Sequence, residues 1–382
     1  MNDKLKINRR EFLELTAMAA GAMVLNGAGC TGNRGREQYK IFSAGQIGNL
    51  QIKNRLIRSA TFETAAINGE VTDTYISLLR NLAEGGVGMI ITGVLGVFKE
   101  TEFDLMVQIY DDRYIDGLIR VRNAVRAADS TCKLIAQLYH PGPTVGPSTV
   151  NWPGKQPRTE LSTEEIAMIV TGFAEAIRRV KAAGWDGVEV HGAHQYLLAS
   201  FLSPYTNKRE DSYGGSVENR VRIIAEIMSE ARNRVGSDFP ILIKLNGTDE
   251  VEGGIDLDSF PEIAREVVKT GVDAIDVSGQ QPCRQYVNTP QQQSYFLKYA
   301  EALDAGLPII CTGGNRSVEL LEDIVQENKV AFLGLSRPLV REPELANRWL
   351  AGTGNAAAEC ISCNNCTSTI GIEPLHCVFK AA

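Results

Sequence analysis

The chain has 382 residues, with 39 Lys+Arg against 46 Asp+Glu for a net charge of −7, and 44% hydrophobic against 22% charged residues. The mild acidity argues against nucleic acid as a partner, and the composition is that of an ordinary globular protein, neither disordered nor fibrous. Four of its eight cysteines (Cys360, Cys363, Cys366 and Cys377) crowd near the end, which suggests a local site and not the disulfide framework of a small secreted fold.

Residues 1–30 are set apart from the fold. A basic segment (Lys4, Lys6, Arg9, Arg10) overlaps Asn8-Arg9-Arg10-Glu11-Phe12-Leu13 and is followed by an uncharged run from Leu15 to Leu25. This resembles a twin-arginine export signal. The run is too short for the roughly twenty residues a membrane-spanning helix needs. It ends on Gly27-Ala28-Gly29-Cys30, which resembles a lipobox with Gly27 in place of the usual Leu and makes Cys30 the lipidated first residue of the mature chain. The expectation is an exported protein, periplasmic or anchored by a lipid on Cys30. The alternative is a cytoplasmic protein with an N-terminal extension. The formal G-x-G-x-x-G match from Gly27 to Gly32 has no strand before it and no helix pattern after it, so it is no nucleotide fingerprint.

From about residue 39 to 351 short apolar runs alternate with amphipathic segments. The runs are Arg55 to Ala60, Gly88 to Gly93, Lys133 to His140, Gly187 to Gly192, Ile241 to Gly247, Ala274 to Gly279, Pro308 to Gly313 and Ala331 to Ser336. Helical spacing fills Thr74 to Glu84, Ile115 to Ala128, Thr163 to Ala183, Val217 to Val235, Leu257 to Thr270, Gln292 to Leu303 and Ser317 to Asn328. Eight strand-helix units predict a single (β/α)8 TIM barrel, an α/β fold, followed by a short Cys-rich tail over 352–382. An open doubly wound sheet rarely needs eight parallel strands, and its dinucleotide fingerprint is absent.

In such a barrel, chemistry sits at the C-terminal ends of the strands. Polar residues fall there: Gln137 and His140 at strand three, His191, His194 and Tyr196 after strand four, Lys244 and Asn246 at strand five, Gly313 and Gly314 after strand seven, Arg337 after strand eight. Each alone reads as an ordinary bridging polar group. Their joint occurrence on one face makes a site.

The run His191-Gly192-Ala193-His194-Gln195-Tyr196-Leu197-Leu198, then Phe201-Leu202-Ser203-Pro204, Asn207, Arg209 and Tyr213-Gly214-Gly215-Ser216-Val217-Glu218-Asn219-Arg220, resembles the Old Yellow Enzyme family of FMN-dependent ene reductases. The likeness extends from Lys53-Asn54-Arg55 through Gln137-Leu138-Tyr139-His140-Pro141-Gly142 to Arg337-Pro338-Leu339-Val340-Arg341-Glu342-Pro343. The resemblance implies reduction of the C=C bond of an α,β-unsaturated carbonyl compound. His191 and His194 would donate to the developing oxyanion and Tyr196 would protonate the α-carbon. It also implies an FMN site. Gln137 would meet the pyrimidine edge and Lys244 the N1 and C2=O side, with Ala60, Thr61 and Gly93 against the ring. Gly313, Gly314, Ser336 and Arg337 would hold the phosphate. Two readings stay open beside it: a flavin amine dehydrogenase or demethylase of the same superfamily, and an exported flavin electron-transfer module without turnover of its own.

Two departures from the family pattern stand out. Gln195 occupies a position where many relatives have Gly, and Ala199-Ser200 replaces residues that are often larger or polar, so the substrate pocket differs in shape. The tail, Cys360-x2-Cys363-x2-Cys366-x10-Cys377, resembles the iron–sulfur segment of dienoyl-CoA-reductase-like relatives with shorter intervals. Those relatives continue into a second nucleotide-binding domain. Four thiolates so spaced suit a [4Fe–4S] cluster, zinc with His376, or disulfides in an oxidising compartment, unless the tail is vestigial. Electrons would come from NAD(P)H in a cytoplasmic enzyme, or from a quinol- or cytochrome-linked donor in an exported one. A homo-oligomer is expected.

Overall fold

A tight antiparallel hairpin, β1 (Gly45–Ile47) and β2 (Leu50–Ile52), precedes the barrel in the computed structural model, which describes residues 36–99, 103–287 and 289–379. The twin-arginine segment, the apolar run and Cys30 lie outside the described residues. The barrel strands are β3 (Leu56–Arg58), β4 (Met89–Gly96), β5 (Lys133–Tyr139), β8 (Gly187–Gly192), β9 (Ile241–Asn246), β10 (Ala274–Ser278), β11 (Ile309–Thr312) and β12 (Phe332–Leu335). All eight pair in parallel and β12 closes back onto β3. Between β5 and β8 the chain makes the small parallel pair β6 (Val145–Gly146) and β7 (Thr159–Glu160).

Outside the barrel run α1 (Asp73–Glu84), α2 (Ile115–Ala128), α3 (Thr163–Ala182), the short α4 (Leu197–Leu202), α5 (Val217–Val235), α6 (Phe260–Lys269), α7 (Leu297–Glu301) and α8 (Val318–Gln326). The helix α3 illustrates why these segments fold as they do. Ser162 accepts a bond from the Glu165 amide at 3.2 Å while the Glu165 carboxylate accepts one from the Ser162 amide at 2.8 Å, closing a capping box. Ile166, Ile169, Val170 and Phe173 then fall on one face and are buried against the barrel.

The expected helix from Gln292 to Leu303 shrinks to α7. Pro290 to Gln292 form a 3-10 turn, and Ser294 takes a left-handed φ of 47°. Its hydroxyl donates to Asn315 at 2.7 Å, and the next amide, Tyr295, reaches the Gly313 carbonyl at 3.2 Å. The segment is tied to the loop after β11 before it can wind into a helix.

The pleat divides the barrel interior into layers. Ile57, Ile135, Leu242, Ala274, Ile310 and Phe332 point inward and, with Met89 and Ile91, pack on Ile47 and Ile52 of the hairpin, which stoppers the N-terminal end. Side chains alternate along a strand, so the next inward positions lie two residues on. They are Ser59, Gln137, Lys244, Asp276, Thr312 and Gly334, joined by Glu189 from β8. An apolar floor thus carries a polar layer, and the polar layer faces the catalytic end of the barrel.

After α9 (Arg337–Arg341) and α10 (Leu345–Leu350), the tail returns over that end. Leu375 donates its amide to Glu63 at 2.8 Å, Thr64 its hydroxyl to Glu373 at 2.7 Å, and Tyr286 its amide to Ser362 at 2.9 Å. The Asn364 amide reaches the Cys283 carbonyl at 2.8 Å. The loops after β3 and β10 therefore hold it in place.

Candidate active site

Two cavities lie at the C-terminal end of the barrel and share Ala60, Thr61, Phe62, His194 and Tyr196 as a common wall. One, of about 250 Å³, is lined by Lys244, Ser278, Gly313, Gly314, Arg316, Ser336 and Arg337, among others. The other, of about 340 Å³, is lined by Val94, Met106, Gln137, Tyr139 and His191. They are called below the Gly313 cavity and the Gln137 cavity. Of the residues singled out by sequence for a flavin and its substrate, all but Gly93 line one or both.

Gly93 is displaced by a bulge. The register of β4 on β5 shifts between Ile91 and Val94, which puts Val94 in the cavity wall. The Gly93 amide instead donates to both carboxylate oxygens of buried Glu63, at 2.9 and 3.1 Å. A Cβ at position 93 would stand 2.2 Å from that carboxylate, so this is where only glycine fits.

Beneath the cavities the polar layer is an ionic network. Lys244, 1% exposed, pairs with Asp276 beside it on β10 and lies 3.7 Å from Glu189. Gln137 donates its amide to Glu189 at 2.5 Å, and Thr312 its hydroxyl to Asp276 at 2.8 Å. Burial pushes the Glu189 carboxyl up to about 8 against the pull of Lys244. Burial also pulls the Lys244 ammonium down, but the two carboxylates outweigh it and hold it above its usual value. The sequence pointed to Lys244 and Gln137. Asp276 and Glu189, which hold them, went unnoticed.

The turn after β8 aims three side chains. His194 and Gln195 both take left-handed backbone, with φ of 56° and 69°. Asn246 accepts the His194 amide at 3.1 Å, while Trp152 and Arg158 donate to the Gln195 carbonyl at 2.9 and 3.1 Å. Arg158 also donates to Ser200 at 2.6 Å, which ties the turn to α4. Trp152 and Arg158 were not recognised from sequence, because their contact with the turn spans some forty residues of chain.

Protonation states follow from these contacts. The Nδ1 of His191 accepts the Ala193 amide at 3.2 Å, so the neutral ring carries its proton on Nε2. Burial, helped by His194 and Lys244, holds His191 well below the usual imidazole range. His194 is pulled down to about 3, by burial first and Lys244 second, and its Nε2 is 2.8 Å from the Ser278 hydroxyl. Both imidazoles are therefore neutral hydrogen-bonding groups near pH 7. Burial raises the Tyr196 phenol above its ordinary value, opposed by a hydrogen bond from Tyr139, so Tyr196 keeps its proton. Its ring stands edge-on to His191 at 4.9 Å and to Tyr139 at 4.6 Å.

The four tail cysteines line a third cavity, of about 170 Å³, together with Arg337, Arg341 and Asn364. Arg341 donates to the Cys377 sulfur at 3.6 Å. Among the described residues no cysteine is paired in a disulfide, and no three His, Cys, Asp or Glu side chains converge on one point as a single metal ion requires. Arg337 and Cys366 line both this wall region and the Gly313 cavity.

The profile of the NADH:flavin oxidoreductase / NADH oxidase family matches residues 40–354. The chain belongs to that family. It is 36% identical to a metal reductase of Desulforamulus reducens over 89% of this chain and 53% of the relative. It is 31% identical to an NADPH dehydrogenase of Halalkalibacterium halodurans over 80% of this chain and 92% of the relative. Among solved structures, a complex of 2-naphthoyl-CoA reductase with 2-naphthoyl-CoA superposes with a TM-score of 0.79 at 26% identity, covering 88% of this chain and 56% of that one. The chain spans about half the length of the metal reductase and of a similar NADH oxidase from Thermoanaerobacter brockii. The resemblance to the Old Yellow Enzyme family is borne out.

The Gly313 cavity fits the phosphate end of the flavin mononucleotide this family is built around. Gly313 and Gly314 take φ of 127° and 77°, and a Cβ on either would fall 2.7 Å from the Tyr295 or Phe296 ring, so bare backbone forms that wall. Arg316, which the sequence reading passed over, has a buried Nε with no partner among the described residues, a donor in want of an anion. Arg337 spends one guanidinium nitrogen on the Arg284 carbonyl, at 2.8 Å, and on Asn364 of the tail.

Proposed function

We propose that the protein is an FMN-dependent oxidoreductase that reduces the C=C bond of α,β-unsaturated carbonyl compounds. One observation carries the reading: a neutral His191 in the Gln137 cavity, its Nε2–H left free by the Ala193 contact, stands beside a protonated Tyr196, which lies on the wall between the two cavities. FMN, when bound, supplies hydride to the β-carbon of the substrate. Gln137 and Lys244 would hold its ring, and Gly313, Gly314, Ser336, Arg316 and Arg337 its phosphate.

The chain's own groups complete the reaction. His191 and His194 donate to the carbonyl oxygen, where negative charge grows. Because burial keeps both rings neutral, they stabilise that charge without giving up a proton. Tyr196 delivers its phenolic proton to the α-carbon, and its raised pKa keeps that proton in place until an enolate demands it.

The test is anaerobic. The flavin-loaded enzyme is reduced with dithionite and mixed with 2-cyclohexen-1-one, and the flavin spectrum is followed. Tyr196→Phe should slow reoxidation by about 10²- to 10⁴-fold, the usual range for a lost general acid. Equal rates in the parent and the variant would remove Tyr196 from the chemistry.

The tail and the leader extend the proposal. Four thiols spread around one cavity suit a [4Fe–4S] cluster, which takes one cysteine at each of four separated irons, better than zinc, which draws its ligands to a point. Twin-arginine export with Cys30 as lipid anchor would place the protein outside the cytoplasm. There a quinol- or cytochrome-linked donor would replace NAD(P)H, with the cluster as relay.

A further inference from the structure

Tyr139 has no part in the chemistry set out above. It ends β5 two residues beyond Gln137, so the pleat turns both to the inside of the barrel. Its ring lines the Gln137 cavity, edge-on to Tyr196 with centroids 4.6 Å apart at 88° and 6.2 Å from the His191 ring. That edge-on approach places the Tyr139 hydroxyl to donate to the Tyr196 oxygen, an interaction that lowers the Tyr196 phenol and raises that of Tyr139. Among the described residues no lysine or arginine lines that cavity, so on that side Tyr139 is the polar neighbour within reach of Tyr196, while Lys244, Arg316 and Arg337 line the Gly313 cavity on its other side.

We propose that Tyr139 is a positioning residue for the protonation step: its O–H fixes the Tyr196 hydroxyl and supports the negative charge that grows on the Tyr196 oxygen as its proton leaves. The inference rests on the reading that Tyr196 protonates an enolate. In that step the enolate's C=C electron pair forms the new bond between the α-carbon and hydrogen, and the carbonyl re-forms. The O–H bond of Tyr196 breaks and leaves its electron pair on oxygen. A proton from solvent water restores the phenol after product departs. Throughout, the bond from Tyr139 changes from one between neutral groups to one accepted by an anion, and such bonds are about twice as strong. An interaction that strengthens on the way to the transition state accelerates the step, whereas one of constant strength would not.

Burial makes the contribution larger. Tyr139 resists ionisation, held above the ordinary phenol range by burial and by Tyr196, so it stays a donor at any pH the enzyme meets.

The experiment uses the flavin-loaded, dithionite-reduced enzyme with 2-cyclohexen-1-one in a stopped-flow instrument, comparing the parent, Y139F, Y196F and the double variant. Y139F should slow flavin reoxidation at saturating enone by about 10- to 100-fold, the loss of one hydrogen bond to a charged group. The enone KM should barely move and the solvent deuterium effect should rise. In the Y196F background, Y139F should cost nothing further. If Y139F alone fails to fold, Tyr139→Leu keeps an apolar side chain there without any donor and should show the same loss. A Y139F that slows the double variant as much as it slows the parent, or that changes KM alone, overturns the inference. So does a full-speed Y139F beside a crippled Y196F, which leaves the wider reading of the site intact. A full-speed Y196F sinks that wider reading instead.

Discussion

Replacing Lys244 by Met tests whether the polar layer is an ionic network or a set of independent side chains. Lys244 is the one cation between two carboxylates, Asp276 and Glu189, that are both fully buried. Removing one partner of a buried pair typically costs about 3–5 kcal/mol, because the remaining charge is left without water or counterion. The loss has a ceiling, since the stranded carboxylate can take a proton. Protonation costs about 1.4 kcal/mol for each pH unit above an ordinary carboxyl pKa near 3.9, hence about 2 kcal/mol at pH 5.5 and more than the whole pair penalty at pH 8.5. Glu189 adds to the difference. Its folded-state pKa is raised to about 8, so its favourable term is complete below the unfolded value and fades as pH climbs through 8; above that pH it relies on Lys244. K244M should therefore lose about 2 kcal/mol at pH 5.5 and 3–5 kcal/mol at pH 8.5, read from urea unfolding of flavin-stripped protein so that cofactor linkage does not enter. K244M/D276N, which removes one stranded charge, should regain much of the loss at pH 8.5. Equal losses at both pH values, or no recovery in the double variant, would refute the network.

Three further outcomes follow from the geometry. Gln195→Gly should stabilise the protein by about 0.5–1 kcal/mol, because it relieves a side chain held at φ 69°, and a less stable variant in chemical denaturation would show that the turn carries no strain. Gly313→Ala should purify with less flavin and a lower unfolding temperature, since its Cβ would meet Phe296 at 2.7 Å from a backbone that L-residues avoid; unchanged flavin content would move the phosphate elsewhere. Anaerobically purified protein should carry about four irons per chain with a broad visible absorption, and Cys363→Ser should lose both while retaining flavin. Iron-free protein with intact, reduced thiols would make the tail a structural strap.

Strand and helix placement was legible because eight β units each carry a mostly apolar run. Strands β8 to β12 begin and end within about two residues of the runs seen in the sequence, as expected when both faces of a parallel strand are buried. The hairpin that stoppers the barrel was not legible. Gln46 and Gln51 interrupt Ile47 and Ile52, and only the barrel's open end reveals why two isolated isoleucines are needed there. The shortened α7 escaped for a different reason. Its apolar residues keep helical spacing, but the tie from Ser294 to Asn315 is tertiary and outweighs local propensity.

The site was legible where polar residues cluster toward the ends of the apolar runs, and illegible where a single carboxylate stands in the middle of one. His191 and Tyr196 stand out at the end of β8 and just beyond it, and Lys244 and Gln137, inside β9 and β5, stand out with Asn246 and His140 close behind them. Asp276 in Ala-Ile-Asp-Val-Ser and Glu189 in Gly-Val-Glu-Val-His read, one strand at a time, as exceptions in a hydrophobic stretch. Their meaning appears once the pleat is counted across the barrel. Asp276 lies directly beside Lys244, and Glu189 directly beside Gln137. A lone buried carboxylate would be too costly to keep, so two of them in register with a lysine and an amide imply a joint role. That role is to fix the charge of Lys244 at a buried position. A lysine there without its carboxylates would shed its proton to burial, and the cavity above would lose the positive charge of Lys244 from its floor.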